Sequence, residues 1–434
     1  MRLRIDNFAK IKQADILVDG ITVIAGENNT GKSTIGKILF CIFNSISDID
    51  EKIKDERIDA IARNCYNVLR NYIAHGTIES KMLRITPRLF QDIKVKLKKL
   101  LDDNANNLSD EIIGEDLLSI LMHYSRNDKG TESDYEKIIQ EMIKRIRSIL
   151  ELSEDKLKKE IIARYFGKVF NSQINSLTEK ESNAEVKLII KDKFIGIGFE
   201  KDDCISIGSN TALINKAVYI DNPFIIDELS DYSDSGLIEE FLKDILTNTE
   251  KDIMDGLIES VIAKEKMGDI YDALGHVLNG KIIKAQDEEF YFQKEGFEKP
   301  VSFKNLSTGL KSFIILKMLI ENNVLTEKDV LILDEPEIHL HPQWQIAYAE
   351  LIVLLQKYFD LSIVITTHSP YFLDAINLYS VKYGLDKKVN FYLSSMIGNE
   401  ACMEKVTDNI EQIYDKMASP IQELDSLRHE LNNV

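Results

Sequence analysis

The chain has 434 residues, enough for one large or two medium domains. Hydrophobic residues make up 44%, which supports a sizeable core, and the lack of any run of 18 apolar residues excludes a membrane-spanning helix. Lys and Arg total 54 against 72 Asp and Glu, a net charge of −18, which argues against a protein that coats DNA along its length.

The charge is uneven. Residues 201–300 hold 10 Lys/Arg against 22 Asp/Glu, whereas 81–99 hold seven basic residues and one acidic. Cys41, Cys65, Cys204 and Cys402 are far apart in the chain. They form no metal-ligand spacing and no disulfide framework, so a reducing, cytoplasmic location is expected.

Met1–Asp6 alternates like a strand and lacks a signal-peptide core. Short strands are expected at 2–6 and 14–18. The apolar, β-branched run Ile21–Ala25 predicts a buried strand. It leads into Gly26-Glu27-Asn28-Asn29-Thr30-Gly31-Lys32-Ser33-Thr34, a G-x-x-x-x-G-K-S loop. A helix follows through Ile35, Ile38, Leu39, Ile42 and Phe43. Strand, loop and helix together make this signal specific. Glycines let the backbone curl so that N–H groups face phosphate oxygens, and the helix N-terminus adds positive potential. Lys32 is expected to reach the β- and γ-phosphates, and the Ser33 hydroxyl to ligate Mg²⁺.

From 50 to 184 the strand–loop–helix alternation stops. Ile139, Met142, Ile143, Ile146, Ile149 and Leu150 step by three and four, as on an amphipathic helix. Similar patterns occur at 112–121 and 154–170, separated by polar loops such as Ser125–Gly130. No sustained heptad register supports a long coiled coil. Lys94, Lys96, Lys98 and Lys99 read as a solvated helix face, with a nucleic-acid or acidic-partner contact as the alternative.

Strands are expected again at 185–191, 194–199 and 216–221, the last ending in Asp221-Asn222-Pro223. An acidic helical stretch covers about 235–279, and short strands follow at 281–284, 289–293 and 300–303. Leu306-Ser307-Thr308-Gly309 opens a helix. Val330–Leu333 is a buried-strand pattern delivering Asp334-Glu335-Pro336 at its end. A helix from about Gln343 to Lys357 precedes another buried strand, Leu361–Thr366, which ends at Thr367-His368-Ser369-Pro370. Strands at 389–395 and 401–406 and a helix over 408–430, capped by Asp408, complete the chain.

Three buried strands thus end in polar groups: the phosphate loop, Asp334/Glu335 and His368. In an open α/β sheet ligands bind at that edge, so these distant segments are expected to converge on one nucleotide. Asp334 would hold Mg²⁺ directly or through water. Glu335 would orient or deprotonate the attacking water. His368 would donate to the γ-phosphate. His339 and His341 lack a third ligand in the sequence and read as structural or dimer-loop residues, and Trp344 as packed.

GENNTGKS, LSTGL, LILDEPE and TTHSP, in this order, resemble the ABC-type ATPase heads of the SMC, RecF and OLD-family group. The LDEPEIHLHP form is most similar to OLD-like bacterial defence ATPases such as those of Septu and PARIS systems. The likeness covers about 1–50 and 185–400. It implies an α/β fold: an ABC-type P-loop ATPase head with a mixed β-sheet core and two helical insertions. The head would comprise 1–50 and 185–434, with an acidic helical subregion at about 225–280, and 51–184 would be the helical insertion. The implied ligands are ATP and Mg²⁺, contacted by Gly26, Asn28, Asn29, Thr30, Gly31, Lys32, Ser33 and Thr34, with Ser33 and Asp334 on the metal and Glu335 and His368 catalytic.

In that group two heads sandwich two ATPs, so Ser307 and the Gly309 amide would contact the γ-phosphate held by a second subunit. Thr308 and Leu310 depart from the usual LSGGQ/E. No glutamine loop is evident, and the Tyr219–Pro223 stretch takes its place. OLD nucleases continue into a Toprim domain, whereas only about 60 residues follow the histidine motif here, without its acidic pattern. The resemblance therefore implies an ATPase switch, a homodimer or higher even oligomer, that controls a separate effector, a nuclease, in anti-phage defence. The alternative is a RecF-like DNA-repair ATPase, motivated by the basic stretch at 81–99. A transporter subunit is disfavoured by the large insertion, and an autonomous nuclease by the missing acidic cluster.

Overall fold

The computed structural model describes residues 1–74, 86–103, 109–124, 132–179, 182–231, 235–247, 267–285 and 289–432. The loop expected at 125–130, residues Lys81 and Arg84 of the basic stretch, and the 248–266 part of the acidic helical region lie outside the described residues. Contacts divide the chain into two compact units, Met1–Ser47 with Ile161–Val434, and Asp48–Glu160.

The first unit is built on a mixed sheet of eleven strands. β1 (Arg2–Phe8) and β2 (Ile11–Leu17) form an antiparallel hairpin. β3 (Ile21–Gly26) leads into α1 (Lys32–Ile46). α6 (Glu154–Phe170) returns the chain to this unit, after α2 (Ile49–Ala74), α3 (Pro87–Asp103), α4 (Asp110–His123) and α5 (Glu132–Leu150). β4 (Ala184–Ile190), β5 (Lys193–Glu200) and β6 (Asp203–Ser209) extend the antiparallel side. β7 (Ala217–Ile220) is the far edge of the parallel side.

α7 (Leu237–Thr247), α8 (Gly268–Gly275) and a small sheet of β8 (Gly280–Lys284), β9 (Phe290–Lys294) and β10 (Val301–Ser302) precede α9 (Thr308–Glu321). Then come β11 (Val330–Asp334), α10 (Pro342–Phe359), β12 (Ser362–Thr367), α11 (Pro370–Lys382), β13 (Val389–Ile397), β14 (Glu400–Lys405) and α12 (Glu411–Asn432). The sheet order is β6-β5-β4-β1-β2-β14-β13-β3-β12-β11-β7, with β13, β3, β12, β11 and β7 parallel.

β3, β12, β11 and β7 read as nearly continuous apolar runs because they are covered on both faces. Side chains alternate between two cores, as a period of two requires. Ile21, Val23, Leu331, Leu333, Ile363 and Ile365 enter the core shared with α9, α10 and α11. Ile24, Val330, Ile332 and Val364 enter the one shared with α1 and the antiparallel strands. Both cores press the strand ends into a rigid edge, and that edge carries the site.

The expected insertion ends earlier than residue 184. Ile162 and Phe166 of α6 are buried in the sheet's own core, where the Phe166 ring lies 4.9 Å from that of Phe199. The acidic helical subregion likewise shares the main core, through Leu242, Leu246, Ile270 and Leu274. α2 to α5 form the second unit around their own core, which includes Leu69, Ile93, Leu117 and Met142. There Lys94, Lys96 and Lys98 lie 2.5, 2.9 and 3.7 Å from Asp59, Asp116 and Asp55. β6 is a strand that the sequence pattern does not announce: its burial pattern is mostly exposed, as suits a sheet edge. Asp408 does not cap the last helix, which starts at Glu411. Its neighbour Thr407 accepts the Phe391 N–H at 3.0 Å and keeps the chain on the sheet for one more turn.

Candidate functional site

The phosphate loop joins β3 to α1. Gly26 has φ +156°, and a Cβ there would lie 2.3 Å from the Ser394 carbonyl oxygen, so only glycine fits. Gly31, at φ +82°, is the N-cap of α1 and the point where the loop turns into the helix. No side chain caps α1 and its first turn has no acidic residue, so its free N–H groups suit an anion. Thr30 is buried, its hydroxyl donates to the Glu27 carbonyl at 2.8 Å, and its own carbonyl accepts from Ser394 Oγ at 2.7 Å. Asn29, at φ +64°, accepts from Lys10 Nζ at 2.6 Å. Thr30 and Asn29 thus shape the loop, whereas Asn28 is exposed at its tip and Thr34 is half-buried on the first turn of α1.

Lys32 is 3% exposed. Its Nζ donates to the Gly26 carbonyl at 3.1 Å and the Glu27 carbonyl at 2.7 Å, and lies 3.7 Å from Glu335 Oε1. Ser33 Oγ donates to Asp334 Oδ1 at 3.0 Å. The same carboxylate accepts from Thr366 Oγ1 and, at 2.5 Å on Oδ2, from the Tyr219 hydroxyl. Burial, and then the Asp334 charge, push the Tyr219 hydroxyl well above its ordinary pKa, so it keeps its proton and stays a donor. A hydroxyl and a carboxylate facing each other at this distance are hard oxygen donors of the kind Mg²⁺ takes.

Glu335 sits directly past the end of β11 with φ +50°, an uncommon conformation for a non-glycine residue. Its N–H holds it there, donating to the Thr366 carbonyl at 3.1 Å and to Thr366 Oγ1 at 3.0 Å. His368 Nδ1 lies 3.4 Å from Glu335 Oε1. Lys32, Ser33, Asp334, Glu335 and His368 therefore meet at one edge of the sheet, though the chain separates Ser33 from Asp334 by 301 positions.

Sequence patterns overlook the residues that hold this cluster. Glu337 is 3% exposed, and its Oε1 accepts from Thr367 Oγ1 at 2.6 Å and from the His368 N–H at 2.9 Å. Burial pushes its carboxyl up, and Oε2 has no partner among the described residues. Ser369 Oγ donates to Gln345 Oε1 at 2.7 Å, and Gln345 Nε2 donates to the Leu340 carbonyl at 3.0 Å. Glu337 and Gln345 thus tie the loop after β11 to the loop after β12. A signal existed for Glu337, which follows Asp334, Glu335 and Pro336 in one short run, and the resemblance pointed to the Tyr219–Pro223 stretch without singling out a side chain, but nothing marked Thr366 or Gln345.

Ser307 is exposed and is the N-cap of α9, with no side-chain cap. Gly309 is buried, and a Cβ there would lie 2.7 Å from Trp344, so close packing alone demands glycine. Among the described residues no hydrogen bond links either one to the cluster in the same chain. The Lys311 ammonium, buried one turn later, bonds to Asp227 in the 3₁₀ turn Pro223–Glu228 and lies 5.1 Å from the centre of the Phe224 ring. His341 accepts the Gln343 N–H at 3.4 Å as the N-cap of α10, and His339 packs edge-on to Phe224. No cluster of three metal-ligating side chains occurs among the described residues, and no described helix is long and apolar enough to cross a membrane.

Among solved structures the chain is similar to an SMC head bound to the C-winged helix domain of ScpA, at 12% identity and a TM-score of 0.44, covering 93% of this chain and 97% of that one. It is also similar to an SMC head domain from Thermotoga maritima, at 10% identity and a TM-score of 0.39, covering 93% and 98%. A Smc head with an extended coiled coil, bound to a ScpA domain derived from Pyrococcus furiosus, matches at 12% and 0.32, covering 98% of both. No curated protein matches. A family model described as an AAA ATPase domain matches residues 1–373, a span that includes the phosphate loop, Ser307, Asp334, Glu335 and His368. The chain belongs to that AAA ATPase domain family.

Proposed function

We propose that the chain is a Mg-ATP-dependent ATPase acting as a molecular switch. Two copies close head to head around ATP, and closure controls a separate effector, a nuclease, in bacterial anti-phage defence. The observation that carries the enzymatic part is the 3.0 Å contact of Ser33 with Asp334, with Lys32 and Glu335 beside it. Lys32 binds the β- and γ-phosphate oxygens, and Ser33 and Asp334 would hold Mg²⁺, which would supply positive charge to offset that of the phosphates. Glu335 takes the proton of a water whose oxygen bonds to the γ-phosphorus while the bond to the β-γ bridging oxygen breaks, giving ADP and phosphate. Tyr219 keeps Asp334 oriented, and Glu337 keeps His368 facing the γ-phosphate.

Ser307 and the first-turn N–H groups of α9 serve the site of the second copy. The exposure of Ser307 and the lack of a side-chain cap on α9 support that role. The effector and the defence setting rest on the LDEPEIHLHP form. Free cysteines, two of them buried, fit a cytoplasmic location. Ion pairs engage Lys94, Lys96 and Lys98, three of the seven basic residues in the stretch that motivates a DNA-gripping role, which favours the switch.

Subunit mixing tests the proposal. Lys32→Ala and Ser307→Arg chains each lack activity alone, because every composite site carries one lesion. In the mixed dimer one site carries both lesions and the other none. Magnesium-dependent phosphate release is expected to recover to about a quarter of the wild-type rate in an equimolar mixture, the yield of random pairing when half the dimers keep one of two sites. No recovery above either variant alone would rule out closure in trans, and no phosphate release by the wild type would rule out the ATPase.

A further inference from the structure

The helix α12 reaches the mouth of the phosphate loop from the other end of the chain, outside the residues that the family model spans. A cleft of about 270 Å³ opens there. Glu27, Asn28 and His368 form one wall, and Ile413, Lys416 and Met417 of α12 form another. Ile413 is buried in the main core, with Met417 packed against it, which fixes this turn of the helix. Lys416 Nζ lies 3.3 Å from Glu27 Oε1, with side-chain exposures of 41% and 65%.

A pair this exposed is weak and can exchange partners. Glu27 follows the first glycine of the loop and lines the cleft, so its carboxylate would repel an entering triphosphate. The Lys416 ammonium offsets that charge. Once a γ-phosphate lies between Asn28 and His368, it is the stronger partner, because its bonds to an ammonium are charge-assisted and its charge exceeds that of one carboxylate.

We propose that Lys416 is a nucleotide-site residue that leaves Glu27 for the γ-phosphate, so that the C-terminal helix distinguishes a nucleoside triphosphate from a diphosphate. The assignment rests on the ATP reading above. It places a phosphate contact on a segment that none of the four sequence motifs includes.

The test is calorimetric titration of the full chain with Mg-AMP-PNP and with Mg-ADP. Lys416→Ala is expected to weaken AMP-PNP about 10-fold, the effect of one partly screened charge-assisted contact, and ADP less than about 2-fold, because ADP lacks the γ-phosphate. Lys416→Arg is expected to restore the wild-type ratio of the two affinities. An AMP-PNP to ADP ratio that Lys416→Ala leaves unchanged would overturn the assignment, whether both affinities fall or neither does. A wild-type chain that binds neither nucleotide would overturn the ATP reading itself.

Discussion

Glu335→Gln is expected to lower ATP turnover by roughly 10²–10⁴-fold, the usual worth of a positioned general base, while the chain still binds ATP. Gln matches the shape of Glu and keeps the backbone contacts, because the residue is held through its N–H to Thr366. What disappears is the basic oxygen, Oε1, which lies 3.7 Å from Lys32 Nζ and 3.4 Å from His368 Nδ1. Lys32 retains its two backbone carbonyl contacts, so the phosphate cradle survives. Phosphate release measures the first effect, and ATP retained through gel filtration measures the second. The trapped ATP should also hold the closed dimer, visible by light scattering. Hydrolysis at the wild-type rate would remove Glu335 from the role of base.

Lys32→Ala acts one step earlier, on binding. Losing one partner of a buried, hydrogen-bonded charge pair costs about 2–5 kcal/mol, which raises Kd for ATP by roughly 30- to 5,000-fold. ADP is expected to suffer as well, because Lys32 also serves the β-phosphate. This separates Lys32 from Lys416, whose loss should spare ADP. Since Lys32 is 3% exposed, its removal also leaves the carbonyls of Gly26 and Glu27 without that donor. Thermal unfolding followed by circular dichroism must accompany the calorimetry: a cooperative transition near the wild-type midpoint assigns the lost binding to the site, not the fold. Wild-type affinity in this variant would defeat the phosphate-loop assignment.

Much of this site was legible in the sequence because its key residues lie at the ends of strands whose composition betrays them. Ile21–Ala25 and Val330–Leu333 are β-branched or apolar throughout, Leu361–Thr366 is so apart from Ser362, and each ends in its polar cluster. Local chemistry therefore located Lys32, Ser33, Asp334, Glu335 and His368 at one sheet edge. Residues that orient the cluster were not legible, since their partners are distant. Tyr219 meets Asp334 across 115 positions, and Thr366 meets it across 32. No spacing rule links such pairs before the strand order is known.

Helical periodicity failed in a related way at α6. Ile162 and Phe166 announce an apolar face, but a period of 3.6 does not say which core that face enters. β6 went unread because exposed edge strands need no apolar alternation.

The place of β13 in the sheet has a consequence for the birth of the molecule. β3, the strand that bears the phosphate loop, leaves the ribosome long before the strands it pairs with. Both of its neighbours, β12 and β13, come late, and Ser394, which bonds the Thr30 carbonyl and abuts Gly26, follows Thr30 by 364 residues. At about 5–20 residues per second, the nascent loop waits roughly 20–70 s for its last wall. Through that interval a flat, apolar strand has two open edges, a template for wrong pairing. The phosphate loop is thus completed only after a long downstream stretch has been made, and nucleotide capture reports that β13 has already folded against β3.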